Sequence, residues 1–215
     1  MSADFKGPRY LPFRNTPTQA SRHRRLQRER DFTGDRLTSF QQVFLRHGLP
    51  GLVLALTLLA IPGFHTVFAG GIQRGLYNPF PYAAFFILTF LILNVYVWRI
   101  DRCWSLSRPG WVLYLGALSF WEEWLFRLAI PTILESSGAS AWQAATFSAL
   151  VFAGAHYFTL RWRLRWCIAV FLGGLLLSRQ MQLHNDLLLV AALHWIGTLA
   201  NTPRPPGVSA EGATA

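Results

Sequence analysis

The stretch WVLYLGALSFWEEWLFRLAIPTIL, residues 111–134, sets two carboxylates and an arginine in the middle of an otherwise apolar run. A helix that crosses a bilayer needs about 20 mostly apolar residues, and this run supplies them. Ionisable groups at bilayer depth cost several kcal/mol, so Glu122, Glu123 and Arg127 each need a partner or a purpose. Helical geometry separates them. Glu123 and Arg127 are i, i+4 neighbours on one face and can pair, holding helices together as a neutralised unit. Glu122 is turned by about 100° from Glu123, towards another helix, and has no partner close in sequence.

The rest of the chain points the same way. Of 215 residues, 52% are hydrophobic, 15% aromatic and only 14% charged, against about a quarter charged in an ordinary soluble domain. The apolar residues gather in blocks at 49–69, 82–98, 111–133, 140–160, 164–178 and 187–201. The fold class that follows is an all-α, polytopic transmembrane helical bundle of about six spans. Residues 1–48 read as a basic, partly disordered arm, with a short interfacial helix around 38–47. Two N-terminal transmembrane helices then fill 49–107, a helical core fills 108–202, and a polar Pro/Gly-rich tail, 203–215, is disordered. The first apolar run starts near residue 49, which argues against a cleavable signal peptide.

Charge fixes the orientation. The net charge of +10 comes from nineteen arginines and a single lysine, Lys6, and ten of these twenty residues precede Pro50. Ahead of a hydrophobic block such an arm holds the N-terminus in the cytoplasm on anionic lipid, and no nucleic-acid partner is expected. The connection 99–110 carries Arg99, Arg102 and Arg108, and the next basic cluster is Arg161, Arg163 and Arg165. Alternating with the basic segments, 70–81 has only Arg74, 134–139 has no basic residue, and the last connection has only Arg179. This alternation predicts both termini in the cytoplasm. The arginine bias suggests a GC-rich bacterial genome, hence a multi-pass protein of a bacterial inner membrane. Cys103 and Cys167 are read as free thiols, since two cysteines make no disulfide framework and no CxxC pair is present.

Two further blocks carry a titratable group inward: His156 in LVFAGAHYF and His194 in LLLVAALHWIGTLAN. These histidines are the natural partners of Glu122. A glutamate and two histidines supply what amide hydrolysis needs, a proton acceptor for water and a donor for the tetrahedral oxyanion. They are equally a zinc ligand set, Glu122, His156 and His194, with an open fourth position. His156 lies five residues before Arg161, about 7.5 Å along a helix, so the site falls in the cytoplasmic half of the bilayer. Gly154, Gly173 and Gly174 are read as close helix-packing positions. His23, His47 and His65 fall outside or at the ends of spans, and His184 and Asn185 fall in an outer connection.

These residues resemble a known family. Glu122-Glu123-Trp-Leu-Phe-Arg127 matches EExxxR, and Phe152-Ala-Gly-Ala-His156 matches FxxxH. Gly173-Gly-Leu-Leu-Leu-Ser-Arg179, followed about fifteen residues later by His194, resembles the last motif-bearing helices of the CPBP family, the CAAX proteases and bacteriocin-processing enzymes. The resemblance covers about residues 108–202 and implies an intramembrane endopeptidase acting on a membrane protein or peptide. It implies that Glu122 and His156 activate the water, His194 helps form the oxyanion hole, and Arg127 fixes the glutamate pair. It favours a glutamate-dependent mechanism with no cofactor required, zinc being the alternative. The family's HxxxN is altered: Thr198 stands where asparagine is usual, with Asn201 two turns from His194. Either the Thr198 hydroxyl substitutes or oxyanion support is weakened. Two other classes fit the composition, a non-catalytic scaffold or immunity protein and a proton-coupled transporter. No broken half-helices or paired repeats support transport.

Overall fold

The structure, a computed structural model, describes residues 37, 39–101 and 105–206. Cys103, the expected lipid contact of the arm before Leu37 and most of the tail lie outside the described residues. Seven helices and no strand are found among those described. They are α1 (Phe40–Leu59), α2 (Phe64–Tyr77), α3 (Pro79–Asp101), α4 (107–136), α5 (Ala141–Thr159), α6 (Leu164–His184) and α7 (Leu187–Asn201). The all-α membrane bundle read from the sequence is the fold. By length and composition alone, α1, α3 over Pro79–Ile100, and α6 qualify as spans among the described residues. Many large apolar side chains point outwards, among them Ile87, Leu91, Leu150 and Leu176. An exposed apolar surface of this extent suits hydrocarbon rather than water.

Several boundaries differ from the sequence reading, each for a local reason. The block at 49–69 is two helices, because Pro62 interrupts the ladder and Gly63 takes φ +93°. The segment around 38–47 is no separate interfacial helix. Ser39 caps it through the Gln42 amide (3.2 Å) and it runs unbroken into Leu59. The connection 70–81 is largely α2, whose Gly71 and Gly75 lie against Leu128 and Leu188. The fifth block, 164–178, continues to His184 and is closed by Asn185 in the left-handed region.

One end of the bundle is marked by a side-chain tie between α3 and the start of α7. At that end Tyr82 of α3 donates a short hydrogen bond to Asp186, the N-cap of α7. At the other end Phe40 of α1 meets Trp111 of α4 edge-on, and the Trp111 indole donates to the Thr202 carbonyl (2.9 Å). Both described chain ends therefore lie at the same end of the bundle. Among the described residues the core has two apolar clusters. One holds Leu93, Trp111, Leu115 and Trp195, and the other Ala55, Trp124, Phe126 and Phe152. Along α4 the Glu122–Glu123 pair falls at the boundary between them.

Burial of apolar surface does little to hold helices together inside lipid, so close packing must. Gly48 of α1 admits the Tyr114 hydroxyl where a Cβ would sit. A Cβ on Gly116 of α4 would come within 2.9 Å of the Trp195 ring. On α6, one at Gly174 would come within 3.2 Å of Ala149 and 3.3 Å of Arg127 Nη2. Gly154 and Gly173, read as packing positions too, face open space instead.

Among the described residues, two helices contain one turn of π-helix each, Phe44–Gly48 in α1 and Trp124–Ala129 in α4. Each is followed by a proline, Pro50 and Pro131. Proline lacks an N–H, and its ring collides with the carbonyl four residues back, so the preceding turn widens. The Leu49 and Ile130 amides accordingly reach back five residues, to the carbonyls of Phe44 and Leu125. In α4 the next donor in that register would be Pro131, which leaves the Phe126 carbonyl without a backbone partner. The buried Ser148 hydroxyl of α5 donates to it instead (2.6 Å), joined by Arg127 Nη1 at 3.3 Å.

Candidate active site

The widened turns carry charged side chains inward. Arg127, in the α4 π-turn, sets Nε 3.0 Å from Glu123 Oε2, both side chains being fully buried. This is the i, i+4 pair read from the sequence. His194 of α7 closes on the same carboxylate, with Nδ1 2.8 Å from Glu123 Oε1. Both are charge contacts whose angles fall outside hydrogen-bond range. Arg127 also lies over the Phe152 ring, 4.8 Å from its centroid. Phe152 further meets His156 at 4.5 Å and His194 at 5.5 Å, edge-on in both cases.

Glu122 shares His194 with Glu123, but its nearest partner is one the sequence reading set aside. His47, in the α1 π-turn, brings Nε2 to 2.7 Å from Glu122 Oε1. His194 Nε2 lies 3.8 Å from the other oxygen, Oε2. His156 is buried one turn from the end of α5, its ring 5.0 Å from that of His47 and 5.1 Å from Trp162. Glu122, Glu123, Arg127, His47 and His156 are all buried, and the His194 side chain is 10% exposed. His47 is thus not at the margin of a span. It was missed because the apolar run begins two residues later, at Leu49, so that His47 looked like part of the polar arm. The available signal was Pro50. His47 and Arg127 are alike in standing three or four positions before an intrahelical proline.

Proton positions follow from the partners. The Phe152 carbonyl can only accept, so His156 donates to it from Nδ1 (3.0 Å), and in the neutral ring Nε2 is then the unprotonated nitrogen. The Thr159 hydroxyl gives its one proton to the Ala155 carbonyl (2.6 Å), so it accepts from His47 Nδ1–H (2.6 Å). With Nδ1 protonated, His47 Nε2 and Glu122 Oε1 cannot face each other as two lone pairs at 2.7 Å. The pair holds one proton between them.

Thr198 is half-buried one turn beyond His194, and its carbonyl accepts from the Thr202 amide (2.9 Å) and hydroxyl (2.8 Å). Asn201 is exposed at the end of α7 and does not reach the cluster.

The zinc ligand set read from the sequence, Glu122, His156 and His194, is not the one gathered here. Among the described residues, one ligand atom each from His47, Glu122 and His156 lie within 4.8 Å of one another. The donor types suit zinc, and in the present arrangement two of them share a hydrogen bond. Zinc bonds of 2.0–2.1 Å in a tetrahedron put neighbouring donors about 3.3 Å apart, whereas His47 and Glu122 are in direct hydrogen bond at 2.7 Å. As arranged, these residues hold a proton.

No curated protein and no solved structure matches the chain. Residues 104–200, the segment that carries both glutamates, Arg127, His156, His194 and Thr198, match the family model of the Type II CAAX prenyl endopeptidase Rce1-like proteins, a model of the CPBP family.

Proposed function

We propose that the protein is an intramembrane endopeptidase that hydrolyses a peptide bond of a membrane-associated protein or peptide, using a water activated by Glu122. The observation that carries this reading is the burial of Glu122 among histidines, one of its oxygens lying 3.8 Å from His194 Nε2, beside His156 with an unprotonated Nε2. Carboxylate and imidazole can together hold one water. Glu122 Oε2 takes a proton from it as the water oxygen bonds to the scissile carbonyl carbon, and the carbonyl π pair moves onto oxygen. His194 and Thr198 stand on one face of α7 as donors to that oxyanion. The carbon–nitrogen bond then breaks as Glu122 returns the proton to the leaving amine, which leaves the base as it began. Glu123 and Arg127 neutralise each other and hold His194 in place. The site opens to the cytoplasmic half of a bacterial inner membrane, and no metal takes part.

The test uses a quenched-fluorescent prenylated CAAX peptide in detergent micelles, together with membrane proteomes of cells carrying wild-type protein or Glu122→Gln. Wild-type protein should cleave after exhaustive chelation, and Glu122→Gln should be folded and inactive. Loss of activity on chelation with recovery on adding metal would refute the metal-free step. Cleavage by Glu122→Gln at the wild-type rate would refute Glu122 as the base. If wild-type protein cleaves neither the peptide nor any membrane protein, the scaffold reading takes its place.

A further inference from the structure

We infer that His47, on the first helix and outside the family-matched segment, is a positioning residue for this hydrolysis. It fixes which oxygen of Glu122 meets the water. The inference rests on the reading of Glu122 as the base, and it adds α1 to the site.

A carboxylate with two free oxygens can rotate about its last bond, and either oxygen could act. Here Oε1 is tied to His47 Nε2 at 2.7 Å, which leaves Oε2, on the His194 side, as the oxygen for the water. The tie is itself held at its far end. His47 Nδ1–H donates to Thr159 Oγ1, and Thr159 donates to Ala155, so a chain of three hydrogen bonds runs from the α5 backbone to Glu122. Thr159 is three residues after His156, so one turn of α5 carries the free imidazole nitrogen and also sets the orientation of His47. Chains of this kind fix the tautomer and ring orientation of a working histidine.

The fold supplies His47 deliberately. An α-helical turn before Pro50 would crowd the proline ring, and the π-turn Phe44–Gly48 relieves that contact while carrying His47 into the bundle. Gly48, the next residue, lets the backbone close on Tyr114 of α4, about two turns before Glu122. His47 is 7% exposed. A buried histidine with both ring nitrogens engaged is also compatible with simple packing, and the test must separate the two roles.

Three variants do so on the same peptide. In His47→Leu, which removes the donor while filling the space, kcat should fall about 10- to 100-fold with KM unchanged, the usual scale for losing an orienting partner. His47→Gln carries an N–H near the position of Nε2 and should recover most of that loss. Thr159→Val should lower kcat in the same direction and add nothing to His47→Leu, as members of one chain do. In nanodiscs, ¹⁵N spectra of histidine-labelled protein give a reading independent of cleavage. Both His47 nitrogens should appear protonated or strongly hydrogen-bonded, and Glu122→Gln should shift Nε2. Wild-type kcat in His47→Leu, equal losses in the Leu and Gln variants, or a His47 Nε2 signal indifferent to Glu122→Gln would each overturn the inference. If His47→Leu fails to fold, Thr159→Val at wild-type rate overturns it. The two readings fail separately: an active Glu122→Gln removes the base itself, whereas an inactive Glu122→Gln beside a fully active His47→Leu removes only the role of His47.

Discussion

Removing Arg127 isolates what the buried ion pair does for stability. Glu123 and Arg127 are both fully buried as side chains and 3.0 Å apart. Arg127→Met keeps most of the stem volume against Phe152 but leaves a buried carboxylate without its guanidinium. Breaking a buried pair in this way costs about 3–5 kcal/mol, because the abandoned charge is not resolvated. Two features place this case. His194, 2.8 Å from Glu123 Oε1, partly compensates the carboxylate and pulls the loss towards about 3 kcal/mol. Loss of the cation over Phe152, at 4.8 Å, adds about 0.5–2 kcal/mol back. The folded-to-unfolded ratio should therefore fall by at least about 100-fold, at 1.4 kcal/mol per tenfold. Reversible unfolding in mixed micelles would measure it, with Glu123→Gln and the double variant completing a cycle. The double variant should be markedly more stable than Arg127→Met, since it leaves no unpaired charge. A single variant within about 1 kcal/mol of wild type, or a double variant no better than the single, would refute the assignment of Arg127 to neutralising Glu123.

Three further outcomes follow from particular contacts. Ser148→Ala leaves the Phe126 carbonyl with only Arg127 Nη1 at 3.3 Å, and should cost about 1–3 kcal/mol in the same unfolding measurement. Gly48→Ala drives a methyl into the Tyr114 hydroxyl and should cost about 1–3 kcal/mol, most of it restored by adding Tyr114→Phe. If the Thr198 hydroxyl takes the place of asparagine, Thr198→Val should lower kcat by about 10²-fold, the scale of one oxyanion donor. Thr198→Asn should keep or raise it, and an unchanged rate in Thr198→Val would leave His194 as the donor.

What the sequence reveals here depends on contrast. Glu122, Glu123, Arg127, His156 and His194 stand out because charge inside an apolar run is costly, and cost is visible in one dimension. The i, i+4 spacing even separates the paired glutamate from the one aimed at other helices. His47 has no such contrast. SFQQVFLRHG, residues 39–48, is polar enough to pass for an extension of the basic arm, and only tertiary contacts make it the start of a span. Val43 is buried in the cluster with Trp111, and Gly48 is closed on Tyr114. The same limit hid α2, where glycines and Asn78-Pro79 read as a loop until Leu128 and Leu188 are seen packed against Gly71 and Gly75.

The two prolines explain why the site has this shape rather than another. A regular helix presents a side chain every 100°, and its faces are fixed once its axis is placed. A π-turn shifts the register of everything beyond it by about one position, so residues on either side can face the same point. In α4 this lets the apolar face after Ala129 continue to pack while Arg127 folds back on Glu123. In α1 it lets Leu49–Leu59 keep Ala55 against Trp124, whose indole donates to the Ala55 carbonyl (3.2 Å), while His47 turns to Glu122. Proline in a membrane helix thus acts here by moving a charged residue into the bundle without giving up the packing that follows it. The carbonyl it strands in α4 becomes the anchor for Ser148, which ties α5, and with it His156, to the helix of the glutamates. The geometry of the Glu122 cluster and the packing of the helices depend on the same two residues, so variants at Pro50 or Pro131 should disturb the cluster and bundle stability together.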